Sequence, residues 1–157
     1  MMEDSGGRYN KNIVIAVDDS DNARRAVDYV GQIIGGMAGF RILLLHVVPE
    51  PEEDYFPDDE QKRQWLEQYR KRMTECIERY RELLVEYGFS NDRITVRMPQ
   101  RFCPSMAECI LTEREMIRYD TIVVGRQGLS RSEEFLFGSI SSKIVTHGRN
   151  CTVWVVE

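Results

Sequence analysis

Four short apolar runs, none alternating with polar residues, constrain this chain more than any other feature. They are Ile13 to Val17 (IVIAV), Phe40 to Val48 (FRILLLHVV), Thr121 to Val124 (TIVV) and Thr152 to Val156 (TVWVV). A strand with apolar residues pointing both ways must be covered on both faces. A parallel sheet between two helical layers meets that condition. A weaker fifth run, Ile94 to Met98, reads as a strand at a sheet edge.

Helical segments separate the runs. Ala23, Ala26, Val27, Val30, Ile33 and Ile34 recur at spacings of three and four, after Asp19, Ser20 or Asp21 as a cap and before Gly35-Gly36. A long helix is expected from about Glu60 to Tyr87. Its stripe is Leu66, Tyr69, Met73, Cys76/Ile77, Tyr80, Leu83/Leu84 and Tyr87, and Gly88 ends it. Ser105-x-x-Glu108 reads as a capping box for a helix reaching Tyr119, and Ser139 to His147 is the last helix. The order β-α-β-α-β-α-β-α-β predicts a single-domain, three-layer α/β fold on a doubly wound parallel five-stranded sheet. Residues 1–10 are expected to be a flexible tail and 11–157 the domain.

Charge is concentrated. Residues 49–60 (PEPEEDYFPDDE) hold seven acids and no base, whereas elsewhere 21 bases face 19 acids. The segment reads as a solvated loop, placed after the second strand where a lid would sit. A near-neutral body lacks the basic face that duplex nucleic acid requires. No apolar run approaches the roughly 20 residues of a membrane span. The polar start lacks the pattern of a signal peptide, so a cytoplasmic chain is expected. Cys76, Cys103, Cys109 and Cys151 form no C-x-x-C, and the histidines are His46 and His147. The cysteines therefore read as free thiols in a reducing compartment. His46, inside an apolar run, reads as a hydrogen-bonded core histidine.

Ligands of a doubly wound sheet sit at the carboxyl ends of its strands. Asp18-Asp19 follow the first strand, Val47-Val48 close the second, and Gly125-Arg126-Gln127-Gly128 follow the fourth. Gly138-Ser139-Ile140-Ser141-Ser142 then opens a helix. Glycines let backbone N–H groups approach an anion, and a helix N-terminus adds unpaired donors. Ser139 and Ser141 offer hydroxyls, and Arg126 and Arg131 offer charge. From the residues alone a phosphate cradle and an ordinary strand-exit turn with a cap both remain open.

Gly125, Gly128, Gly138 and Ser139 stand in the register G-2x-G-9x-G-[ST]. With IVIAVDDS, LLLHVVP, DTIVVGRQG and the closing VWVV, this resembles the nucleotide-binding branch of the universal stress protein family, from Lys11 to Val156. The resemblance implies a sheet order of 3-2-1-4-5 and an adenine-nucleotide site. Ala16 and the Val17 backbone would lie near the base, Asp18 would contact the ribose, and the Val47 main chain would read the adenine edge. Gly125, Arg126, Gln127, Gly128, Gly138, Ser139, Ile140 and Ser141 would surround the phosphates. The implied cofactor is ATP, or AMP or ADP, with or without Mg²⁺. Asp19 adds charge beside this site and otherwise reads as a helix cap. Thr152 replaces a proline frequent at that position.

The expected function is that of a stress-response sensor or regulator that binds an adenine nucleotide and acts on an unidentified protein partner. A slow ATPase or phosphotransferase in the same pocket is the alternative. It lacks a Walker lysine, a placed general base or a metal triad beyond Asp18 and Asp19. A response-regulator receiver would need an acceptor aspartate after the third strand, where Met98-Pro99-Gln100 stands. The uncharged fifth strand, Thr152 to Val156, would lie at the sheet edge, and a homodimer through it is expected.

Overall fold

The computed structural model describes residues 9–126 and 139–157. Five parallel strands form the main sheet: β1 (Asn12–Ala16), β2 (Arg41–Leu45), β4 (Ile94–Arg97), β6 (Thr121–Gly125) and β7 (Thr152–Val156). Their order is β4-β2-β1-β6-β7, which is 3-2-1-4-5 when these five are numbered in chain order. The helices are α1 (Asp21–Ile34), α2 (Asp59–Glu86), α3 (Met106–Ile117) and α4 (Ser139–His147). A short 3-10 turn, Asn91–Arg93, leads into β4.

The unalternating runs have a direct cause. Ile13, Ile15, Ile42, Leu44 and Val123 point into a core shared with α1 and α2. Their neighbours Val14, Leu43, Leu45, Ile122 and Val124 point into a second core with α3 and α4. The central strands β1, β2 and β6 carry consecutive apolar residues because each face has its own core. Burying one such side chain contributes about 1.5–3 kcal/mol.

The expected strand from Phe40 to Val48 is two pieces. β2 stops at Leu45 because its partner β1 ends at Ala16 and turns away into α1. The backbone N–H groups that follow bond on its other side. His46 N–H donates to the Arg97 carbonyl (3.0 Å), Val48 to Pro99 (2.8 Å) and Glu50 to Arg101 (2.8 Å). This makes a two-stranded parallel sheet of β3 (Val48–Pro49) and β5 (Gln100–Arg101) beyond the main one. Glu113 of α3, with no exposed side-chain surface, pairs with Arg97 of β4 (3.1 Å) and Arg101 of β5 (2.5 Å) and fastens those two strands to the helix.

Three local expectations change. Ser20, not Asp19, caps α1, its hydroxyl accepting the Ala23 N–H at 3.1 Å. Ser105 stands at the N-cap of α3, but its buried hydroxyl has no hydrogen-bond partner, so the capping box does not form. A Cys103–Cys109 disulfide ties that first turn instead. The turn folds Cys103 back over Cys109, with their Cα atoms 6.0 Å apart, so two of the four cysteines are bonded rather than free. No helix among the described residues is long and apolar enough to cross a membrane.

Candidate functional site

The strand order reverses between β1 and β6. From β1 the chain crosses to β2 on one side, and from β6 to β7 on the other. Their carboxyl ends therefore flank a crevice, the place where such sheets bind ligands. The Val17 N–H donates to the Leu45 carbonyl at 2.9 Å, which sets Val17 beside the end of β2 and two residues from Val47. The Val17 and Val47 side chains are buried in opposite cores, so only their main chains can serve a ligand. Ala16 closes β1 opposite Leu45.

The β1 exit is pinned from below. His46 Nδ1 donates to the Val17 carbonyl at 2.6 Å, and His46 Nε2 accepts from the Tyr69 hydroxyl at 2.7 Å. That assignment of ring protons follows from the carbonyl, which can only accept. The Tyr80 hydroxyl donates to the Asp18 carbonyl at 2.6 Å, and the Cys76 thiol lies 3.8 Å from the same oxygen. Asp18 Oδ1 in turn accepts the Ser20 N–H at 2.9 Å. Burial pushes the His46 pKa below its ordinary value, against the opposing effects of the Val17 bond and the Asp18 and Asp19 charges. Burial raises the Tyr69 and Tyr80 pKa values.

An aromatic file runs outward from this relay. Tyr69 stacks on Trp65 (5.2 Å between centroids), Trp65 meets Phe56 (5.6 Å) and Phe56 meets Tyr55 (4.9 Å). The acidic segment after β3 is thus packed on α2 through Phe56 rather than simply solvated. Glu50 holds its start, paired with Lys62 at 2.7 Å and bonded to Gln100. Asp58 holds its end by capping α2.

On the other wall, Gly125 ends β6 against the first turn of α1. A Cβ there would lie 2.8 Å from Asn22 Cβ and 2.9 Å from its backbone, so packing alone requires this glycine. The Arg126 N–H donates to the Val156 carbonyl at 2.7 Å, and its guanidinium pairs with Glu157 at 2.5 Å. The buried Ser141 hydroxyl donates to the Arg126 carbonyl at 2.9 Å and draws the start of α4 to the β6 exit. That bond uses the hydroxyl hydrogen a phosphate oxygen would need. Ile140, half-buried, packs on the α3/α4 core. Ser139 begins α4. Gln127, Gly128 and Gly138 lie outside the described residues.

Ala16, Val17, Asp18, Val47, Gly125, Arg126 and the first turn of α4 thus meet at one end of the sheet. The support beneath Asp18 was the part missed in the sequence. His46 is a hydrogen-bonded core histidine, and Tyr69 and Tyr80 lie on the apolar stripe of α2, as their sequence positions predict. Their polar ends, however, converge on the β1 exit.

The Universal stress protein family matches residues 10–157. No match is found among curated protein sequences. Among solved structures, the universal stress protein UspA from Lactobacillus plantarum is 20% identical with a TM-score of 0.79, over 97% of this chain and 100% of that one. The universal stress protein from Archaeoglobus fulgidus in complex with dAMP is 18% identical with a TM-score of 0.64, over 96% and 100%. A universal stress protein in complex with cAMP is 19% identical with a TM-score of 0.63, over 95% and 98%. With a family match that spans the whole sheet and both helical layers, this chain belongs to the universal stress protein family.

Proposed function

We propose that the chain binds an adenine nucleotide, ATP foremost with ADP and AMP as alternatives, at the β1/β6 crevice, and acts as a regulator in a stress response. The observation that carries this reading is the docking of the α4 N-terminus on the β6 exit, beside a carboxylate held at the β1 exit. A helix start favours an anion and a fixed carboxylate favours ribose hydroxyls, so the donor set fits a nucleotide. Family membership and relatives solved with cAMP and dAMP support the same class.

In this reading Ala16, Val17 and Val47 line the base through their main chains, and Asp18 accepts from the ribose. Gly125, Arg126, Gln127, Gly128, Gly138, Ser139 and Ile140 surround the phosphates, and Ser141 holds the helix that presents them. If Mg²⁺ accompanies the nucleotide, phosphate oxygens and water supply most of its ligands. The bound state orders a surface that a partner protein in the cytoplasm reads. The chain also pairs with a second copy through β7.

Calorimetry with ATP, ADP and AMP tests the site. The expected ATP affinity is roughly micromolar, about −8 kcal/mol. Gly138→Val should abolish it with the fold intact, because a branched side chain would stand where phosphate approaches. Unchanged affinity in that variant would remove the phosphate cradle from this segment.

A further inference from the structure

Two successive backbone carbonyls at the β1 exit, Val17 and Asp18, are each held by a side chain from the core beneath. His46 and Tyr80 are almost fully buried, at 8% and 6% exposure, and each side chain reaches the β1 exit from beneath. Yet each spends its polar atom on the segment that carries the ribose carboxylate. Tyr69 fixes the His46 ring in turn. A peptide unit whose carbonyl is fixed cannot rotate about its flanking bonds, and two in a row fix the direction of the Asp18 Cα–Cβ bond. The Ser20 N–H then holds the carboxylate itself.

We propose that Tyr69, His46 and Tyr80 are positioning residues for nucleotide affinity: they act through Asp18, setting its carboxylate for the ribose hydroxyls before ligand arrives. This rests on the nucleotide reading above and adds to it a set of residues that act through the main chain of the β1 exit. The gain is preorganisation, since Asp18 need not be ordered when the nucleotide binds. Chemistry favours this over a purely structural role. A core needing only bulk at position 80 would accept phenylalanine, whereas here a buried hydroxyl meets a carbonyl that lies next to the crevice.

The test is calorimetry with ATP and with 2′,3′-dideoxy-ATP on four proteins: intact, Tyr80→Phe, Asp18→Ala and the double variant, each checked for folding by circular dichroism. Tyr80→Phe should weaken ATP about three- to tenfold, the loss expected of one hydrogen bond. It should leave dideoxy-ATP unchanged and cost nothing further once Asp18 is alanine. A merely structural role would weaken both ligands alike, in both backgrounds, and would overturn the proposal. Asp18→Ala weakening ATP while Tyr80→Phe does not would overturn it alone. No ATP binding by the intact chain would overturn the nucleotide reading and this inference together. Should Tyr80→Phe fail to fold, Tyr69→Phe carries the same comparison, with the same outcomes deciding.

Discussion

His46 couples the candidate site to acidity. Burial holds its folded-state pKa below the ordinary value near 6.5, with Tyr69, Asp18 and Asp19 the ionisable groups around it. As pH falls below about 6.5, the unfolded chain takes up a proton that the folded chain resists. Stability therefore drops from that point downward, by at most about 1.4 kcal/mol per pH unit, until the buried ring itself protonates. Urea midpoints at about pH 7.5 and 5.5 should show the loss, and His46→Gln should flatten it. A slope unchanged in the variant would assign the loss to other groups. Single-residue roles were only partly legible in the sequence. Asp19, Ser20 and Asp21 are all good N-caps by type, and backbone geometry selects Ser20, whose side chain alone reaches the Ala23 N–H. The hydroxyls of Tyr69 and Tyr80 were hidden for a related reason. A helical stripe shows which side chains face inward, not where a phenol ends six bonds away.

At the level of elements, α1 and α2 pack through a gap where α1 carries no side chain. A Cβ on Gly31 would lie 2.2 Å from Tyr87 Cδ2, at the end of α2. Tyr87 also donates its hydroxyl to Asp28 one turn earlier on α1. Helix propensity alone says Gly31→Ala should stabilise α1 by up to about 1 kcal/mol. The ring, which must move bodily, makes overpacking the larger effect, about 1–3 kcal/mol. The expected net result is destabilisation in denaturant titration, turning to stabilisation in a Tyr87→Ala background where the ring is gone. Destabilisation that persists in that background would show that the contact is not the cause. The first two helices were legible because each stripe runs three or more turns. β3 and β5 were not, being two residues each and defined by pairing with one another rather than by pattern. The Cys103–Cys109 bond was missed because six residues of separation signals nothing until a helix turn folds one cysteine over the other.

The whole molecule presents an unfinished sheet at β7. Among the described residues its hydrogen-bonded neighbour lies on one side only, β6. The direction of its bonds shows which groups face outward. The Thr152 N–H donates to the Asp120 carbonyl at 2.8 Å and the Val156 carbonyl accepts from Arg126 at 2.7 Å, so residues 152, 154 and 156 turn their backbone inward. In a parallel pair the alternate residues, Val153 and Val155, must turn theirs out. The hydrogen brought by threonine at position 152 thus extends the ladder within the chain. Outward backbone, no charge and no proline make this strand open to pairing. The surface beside it is apolar as well: Tyr29 meets Trp154 edge to face at 6.2 Å, and Tyr29 and Ile33 are 43% and 54% exposed. An antiparallel two-fold pair centred on Trp154 would let Val153 of each chain bond Val155 of the other, an isologous contact. Val155→Pro removes one outward N–H and spares the β6 ladder, so it should leave the fold intact and halve the mass. Light scattering at tens of micromolar should give twice the 18.4 kDa chain mass for the intact protein and the chain mass for the variant. A monomeric intact protein would overturn edge pairing. A dimer that persists in a folded Val155→Pro variant would move the contact away from β7.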